Sequence, residues 1–437
     1  MSSTSAPDAR LEAATLRIVG RRLLPFLFLL YIFNVLDRTN VGIAALQMNS
    51  ELKFSAAAFG FGAGVFFLGY SLFEVPSNLI LARVGARRWI ATILIAWGLL
   101  ASSMMLVRTP AQFYWLRFLL GLAEAGFFPG IIFYLCQWFP SARRATATSR
   151  FMIAIPLSAA LGGPLGGVLL QFSGIGHLSG WQWLFLIEGL PSVVLGFVAL
   201  KVLDDGPADA VWLPEDCRVW LAERLRGEQA LSGRAHPMPG LRAILHPLVW
   251  VLAFPYFLAL TVWYGYAFWA PIVISEALQS SHVATGFIIG TIAALSTLAM
   301  LAVGASSDRA GERCAHAAFS IGLAGVGFLA AAVASHPLLR VAGLTLVSMG
   351  GLSFLVPFWC LPPMLFHGRM GAVAIALVSS IGSVGGFVGP SLIGSLKNAH
   401  GGETTALTAL AVAALAAGGL CLALRRRAEF IPAGRGA

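Results

Sequence analysis

The sequence is short of charge. Only 11% of its 437 residues are Asp, Glu, Lys or Arg, where a soluble globular chain carries roughly a quarter. Hydrophobic residues make up 58%, and mean hydropathy is +0.81. Such a chain cannot cover itself in water, so lipid must solvate it. Cysteine is scarce as well. Cys136, Cys217, Cys314, Cys360 and Cys421 are scattered, with no CxxC pair. That excludes a disulfide framework and a cysteine metal site. Metal-ligand spacing, a nucleophile–base pattern and a glycine-rich phosphate loop on a strand are all missing. The sequence therefore supports no enzyme, no cofactor and no metal. The polar central stretch 204–247 is too short for an appended signalling domain.

What is present is a series of long apolar runs. A helix needs roughly 20 apolar residues to cross a bilayer. Twelve stretches qualify: 23–48, 57–82, 89–107, 112–138, 146–172 and 181–203, then 248–275, 284–306, 315–335, 338–360, 371–396 and 404–424. The first follows Arg10, Arg17, Arg21 and Arg22, as in a signal peptide. It is too long for one, contains Asp37-Arg38 and lacks a small-residue cleavage site, so it reads as an uncleaved span. The fold class expected is an all-α polytopic membrane protein. Its domains are a six-helix bundle over 1–203, a cytoplasmic linker over 204–247, and a second six-helix bundle with a tail over 248–437.

The net charge of +10 would suggest nucleic acid in a soluble protein. In a membrane protein basic residues collect in cytoplasmic loops instead. With a cytoplasmic N-terminus, only Lys53, Arg108, Arg340 and Lys397 fall on the far side, and Arg38 and Arg117 lie within spans. Both termini and the linker are then cytoplasmic, in a plasma membrane such as the bacterial inner membrane. Within the linker, Pro214, Glu215 and Asp216 followed by Trp220, Leu221 and Leu225 predict a short amphipathic helix over 214–230. It lies on the membrane surface or serves as a solvated linker.

An internal repeat runs at constant offset. Arg83, Gly85 and Arg87 after span two match Arg309, Gly311 and Arg313 after span eight, 226 residues on. Gly163-Pro164 in span five matches Gly389-Pro390 in span eleven at the same offset. Duplicated halves lie side by side, with substrate between them near the midplane. Glycine lets the loop turn, and the arginines with Asp308 form candidate gating loops. The Gly-Pro pairs bend helices and let them pack closely.

With these motifs the chain resembles the major facilitator superfamily. Arg83-Val-Gly-Ala-Arg-Arg88 is similar to its loop signature, and Arg117-Phe-Leu-Leu-Gly-Leu-Ala-Glu124 to its span-four motif. Leu36-Asp-Arg-Thr-Asn40, Tyr70-Ser-Leu-Phe-Glu-Val-Pro-Ser-Asn78 and Trp181-Gln-Trp-Leu-Phe-Leu-Ile-Glu-Gly189 resemble the anion:cation symporter family, of the tartrate, phthalate and hydroxyphenylacetate type. The resemblance covers nearly the whole chain. It departs from the pattern at Ala82, where the loop usually carries an acid, and at Ser379 and Ser383, where many relatives have asparagine.

An ionisable residue in a span costs roughly 2.5–3.5 kcal/mol on insertion, so each is a functional candidate. Six occur: Asp37, Arg38, Glu74, Arg117, Glu124 and Glu188, all in the first half. Helical spacing puts Tyr31, Asn34, Asp37, Arg38 and Val41 on one face of span one. Tyr70, Glu74 and Asn78 recur along span two, and Arg117, Gly121 and Glu124 along span four. Arg38 and Arg117 suit a carboxylate, because a guanidinium matches it with two parallel bonds and stays charged. Asp37 and Glu124 suit proton coupling. An anion that takes Arg from its carboxylate partner favours protonation of that carboxylate, which couples the two ligands. The resemblance gives the same assignment for Asp37, Arg38, Tyr70, Arg117 and Glu124. The alternative is that these are ion pairs holding helices together, and for Glu74 and Glu188 the two readings weigh equally.

At offset 226 the counterparts of Asp37 and Arg38 are Trp263 and Tyr264. The second half has no intramembrane carboxylate and offers aromatic residues, with Tyr264, Trp359, Ser379 and Ser383 as candidate pocket residues beside Asn34 and Tyr70. The function expected is import of a small organic carboxylate by proton symport through alternating access. The partners are that anion, a proton and the lipid bilayer, with the chain acting as a monomer and without nucleic acid. A competing reading is a proton-coupled efflux antiporter for amphipathic compounds, in which Arg38 is structural.

Overall fold

A computed structural model describes residues 6–232, 247–365, 368–400 and 402–425. Arg234, Arg242 and the basic residues after Arg425 lie outside that set. Twelve of the described helices are long and apolar enough to cross a membrane: Arg10–Glu51, Ala56–Leu81, Ala86–Leu106, Pro110–Trp138, Thr146–Phe172, Gly180–Val202, Pro247–Leu278, His282–Ala310, Cys314–Val333, Pro337–Trp359, Leu377–Lys397 and Glu403–Leu424. They are numbered here as spans one to twelve. Each overlaps one of the apolar stretches read from the sequence.

The span ends follow from local chemistry. The first turn of a helix leaves its N–H groups without partners. Thr109 and Gln112 form a capping box at span four, Ser179 and Gln182 another at span six, and Ser55 and Ser281 cap spans two and eight. After spans two and eight the chain turns at Gly85 (φ 93°) and Gly311 (φ 62°), a region that disfavours any side chain. Large apolar side chains remain on the outside, among them Leu72, Trp115 and Phe319, each about two-thirds exposed. In water that surface would aggregate; facing lipid it is solvated.

Two spans differ from the continuous helices expected. Span four breaks at Ala125–Gly126, between helices Pro110–Glu124 and Phe127–Trp138. A side chain at Gly126 would strike the Ser77 hydroxyl, so the break seats span two against span four. Span five breaks at Ile153, because Pro156 has no N–H to offer the Met152 carbonyl.

The spans form two six-helix bundles. Across them, span one meets span seven, span two meets span eleven, and span five meets span eight. The approaches are backbone to backbone. Gly42 faces Ala267 and Phe268, Gly60 faces the Pro390 carbonyl, Gly163 and Gly286 face each other, and Gly167 meets His282. These contacts lie toward the end of the molecule opposite the linker. Aromatic rings fill the gaps: Phe59 meets Trp269 at 5.3 Å, Phe61 meets Phe387 at 5.6 Å, and Phe67 meets Tyr264 at 4.1 Å.

The amphipathic linker helix is present as Glu215–Ser232. It neither floats free nor faces lipid with its apolar side. Cys217, Leu221 and Leu225 are buried as the helix packs on span one and on Phe127–Trp138 of span four. Upstream, Trp212 stacks on Trp138, lies 4.7 Å from the Arg22 guanidinium and donates to Asp204.

Candidate functional site

Spans two and four cross where neither has a side chain. Gly69 lies against the Phe118 carbonyl, and Gly121 against the Phe66 carbonyl. That close crossing drives Arg117 into span two. Its Nη2 donates to the Ala63 carbonyl at 3.2 Å, and its guanidinium lies 4.8 Å from the Phe66 ring and 5.9 Å from Phe268 of the other bundle. Arg117 is buried, and its Nε has no partner.

One helical turn past Gly121, Glu124 meets span one. Its Oε2 accepts from Asn34 Nδ2 at 2.9 Å and from Arg38 Nη2 at 3.1 Å. Asn34 and Arg38 are four residues apart, so they point the same way. The Arg38 guanidinium also lies over Tyr70 at 5.0 Å and near Phe66 at 5.5 Å. Phe66 thus touches both guanidiniums. Glu124 is sealed, whereas 18% of the Arg38 side chain is exposed. Asn34 Oδ1, Glu124 Oε1 and Arg38 Nε have no partner. Buried polar atoms are normally satisfied, so this group holds bonding capacity that a polar ligand could use.

Asp37 does not share this cluster, although the sequence placed it on the Arg38 face. Successive helical residues are about 100° apart, and the stripe divides between them. Asp37 Oδ2 accepts from Trp97 Nε1 at 2.6 Å and from Ser192 Oγ at 3.3 Å, toward spans three and six. Tyr31 stacks on Phe151 at 4.4 Å and still faces Arg38, Tyr70 and Tyr264. Glu188 accepts from Asn40 Nδ2 at 2.8 Å. Glu74 reaches across the bundles: Ser380 Oγ of span eleven donates to its Oε2 at 2.9 Å, and Ser71 Oγ donates back to the Ser380 carbonyl at 3.4 Å.

The second-half candidates divide. Tyr264 packs on Phe67 of the first bundle, while Trp263 turns to Gly351 inside its own. Trp359 meets Tyr256 edge-on at 5.0 Å. Ser383 Oγ donates to the Ser379 carbonyl one turn back along span eleven. In the loops, Arg313 pairs with Asp308, at 2.6 Å, and also donates to Ser307. Arg309 donates to the Ala305 carbonyl. Arg83 is exposed. Arg87 gives its N–H to Asp205 Oδ1 at 2.9 Å and its Nε to the Leu200 carbonyl at 2.7 Å.

Several of these partners escaped the sequence reading. Asn40 lies inside a motif quoted for its neighbours. Trp97 and Ser192 look like ordinary span residues, and Ser380 sits one residue from Ser379. Asp205 lies just past span six, and its contact with a loop over a hundred residues earlier leaves no local trace.

The model of the Major Facilitator Superfamily matches residues 27–390. The chain is 46% identical over 418 residues to a protein named "Putative tartrate transporter" from Agrobacterium vitis, covering 95% of this chain and 92% of that one. It is 41% identical to "Putative metabolite transport protein NicT" of Pseudomonas putida, over 88% of this chain and 89% of the relative. It is 36% identical to the "Quinolone resistance transporter" of Acinetobacter baumannii, over 92% and 93%. Among solved structures, a bacterial homologue of the human lysosomal transporter Spinster, inward-facing and unoccupied, superposes with a TM-score of 0.76 at 15% identity, over 94% of this chain and 98% of that one. The twelve spans in two bundles, the duplicated glycine loops and these matches lead to one conclusion: the chain is a multi-pass membrane protein of the major facilitator superfamily, a transporter and not an enzyme.

Proposed function

We propose that the protein imports a small organic carboxylate by proton symport, with the anion received at Arg38. One observation carries this reading: a partly exposed guanidinium is tied to a sealed carboxylate that still has a free oxygen. An incoming carboxylate competes with Glu124 for Arg38, since Arg offers a planar fork of donors and does not lose its proton. Glu124, left without its cation in an apolar site, then takes up a proton more readily. Anion and proton binding thus promote each other. Asp37 is the second proton-coupling residue, placed behind Arg38 on the same helix.

Arg117 lies on the closed side of Arg38, sealed beneath Phe66 and Phe268. In this state it contributes positive potential and closes the far end; it meets the anion when the bundles rock open there. Tyr70, Tyr264 and Asn34 border Arg38, and Trp359, Ser379 and Ser383 supply the second-half wall. The excess of arginine at the linker end supports a cytoplasmic placement of that end. The tight bundle contacts at the opposite end support an inward-open state, from which substrate leaves. The relative named "Putative tartrate transporter" supports a carboxylate as cargo.

The test is uptake into proteoliposomes. Tartrate, phthalate and hydroxyphenylacetate are each supplied under an inward proton gradient. Saturable uptake that rises as outside pH falls supports the reading; accumulation unaffected by the gradient refutes proton coupling. A second reading, export of amphipathic compounds by proton antiport, is favoured by the quinolone resistance relative and by the aromatic residues of span seven. It predicts that the same gradient expels a fluoroquinolone and leaves the carboxylates unmoved.

A further inference from the structure

A second group of acids lies behind Arg38, on the seam of spans one, three and six. Asp37 and Glu188 are 1% and 2% exposed. Their bonds are crossed. Span six lends Ser192 to Asp37, and span one lends Asn40 to Glu188. Asp37 and Asn40 are one turn apart on span one, and Glu188 and Ser192 are one turn apart on span six. The two carboxyls therefore sit about one turn from each other across the seam. Trp97 Nε1 closes the third side. Every one of these donors is neutral.

No cationic side chain among the described residues stands within ion-pair distance of either acid; Arg38, the next residue on span one, is given to Glu124. The charged groups that face Asp37 are Glu188 and, from span four, Glu124, both acidic. Two carboxylates stripped of water and facing each other cannot both remain charged without a cation between them. The group also has open acceptors. Asp37 Oδ1 and Asn40 Oδ1 are buried and without partners.

We propose that Asp37, Asn40, Glu188 and Ser192 form a buried site for one small monovalent cation, held between the two carboxyls and separate from the anion site at Arg38. The cation is a shared proton or a sodium ion, since both need the same paired oxygens. Its use in transport rests on the symport reading above; its binding does not. Asp37 and Arg38 are consecutive, so a cation on one side of span one and an anion on the other would load a single helical turn.

The experiment is an infrared pH titration of the reconstituted full chain without substrate, reading the protonated-carboxyl band. It is run in choline chloride and again in sodium chloride. Because the proton belongs to the pair, D37N and E188Q should each replace the pair's titration by that of the single acid left, displaced to lower pH, while E124Q should keep the pair. N40A and S192A keep both acids and remove one donor each; they should move its midpoint by about one pH unit, and they serve if the acid variants do not purify as monodisperse protein. Sodium that removes the band at fixed pH identifies sodium as the occupant; a band indifferent to sodium identifies the proton. The proposal is overturned if E188Q leaves the Asp37-dependent titration, and N40A and S192A its midpoint, where they were. No substrate is present, so this result is independent of whether a carboxylate is carried.

Discussion

Arg38 Nη2 stands 3.1 Å from Glu124 Oε2, joining span one to span four; the acid is sealed, and the base keeps 18% of its side chain exposed. The pair is asymmetric in a useful way. A solute can reach the guanidinium without first exposing the carboxylate. Removing Arg38 should therefore do two things. R38A abolishes carboxylate binding, and it leaves Glu124 as a buried charge without its partner, a loss of about 3–5 kcal/mol. That loss depends on pH. At pH 8 the variant should melt well below the wild type, and the difference should shrink in acid as Glu124 becomes protonated and neutral. Melting curves in detergent at the two pH values check this. R38K should recover stability better than binding, because an ammonium lacks the fork that grips a carboxylate.

Glu124 carries the coupling in this account. E124Q keeps an acceptor for Asn34 and Arg38 but cannot cycle a proton. Proton-driven accumulation should disappear while exchange of labelled for unlabelled substrate persists. Counterflow measured beside gradient-driven uptake separates these two activities. Loss of both would mean that Glu124 holds the helices and does not couple.

The far end closes on bare backbone. A side chain at Gly60 would run into the Pro390 carbonyl, and one at Gly163 into the Gly286 carbonyl. Overpacking of this kind costs about 1–3 kcal/mol. G60V and G163V should hold that end apart. Spin labels at the far ends of spans two and eleven should report longer distances than in the wild type, and uptake should fall about tenfold or more, as the upper part of that energy range implies.

Glu74 and Ser380 bind the two bundles at one point, 2.9 Å apart. A hydrogen bond of this sort contributes about 0.5–1.5 kcal/mol, or more to a charged acceptor. S380A should therefore shift the balance of conformations by about three- to tenfold, raising the share in which spans two and eleven have separated. Distance distributions in the wild type and S380A measure the shift. Unchanged distributions would reduce Glu74 to a packing residue.

Much of this protein is written in its sequence, and the unread parts have a physical pattern. The spans are legible because burial in lipid demands long apolar runs, and Gly85 and Gly311 announce their turns. Arg38 and Glu124 are legible because charge in a membrane is costly, and Asn34 because its spacing puts it on the Arg38 face of span one; that the two spans meet there is not. Asp37 misled because neighbouring residues in a helix point in different directions, and a stripe drawn by spacing alone cannot say where it divides. Trp97, Ser192 and Ser380 were invisible because a single donor in an apolar span gains meaning only from the helix packed beside it. The breaks at Gly126 and Ile153 depend on close packing and on one proline, which no hydropathy window resolves.

Asp205 illustrates the same limit at a loop. It caps the start of span three through the Arg87 N–H and fills the space beside Gly85. The sequence shows Ala82 where the loop usually has an acid, but not that another acid reaches the loop from the end of span six. D205A should lose about 0.5–2 kcal/mol, the usual worth of a helix cap. D205N, which keeps an oxygen acceptor, should lose less. Thermal melts of the two variants give the comparison.

The most direct test of the coupling between Arg38, Glu124 and substrate counts protons. Tartrate is added to the purified protein in weak buffer with a pH indicator, at a pH where Glu124 is still ionised. With that coupling in place a proton is taken up as the anion binds, E124Q binds without this uptake, and R38A does neither. Tartrate binding to the wild type with no proton taken up, or unaltered binding to R38A, would contradict it.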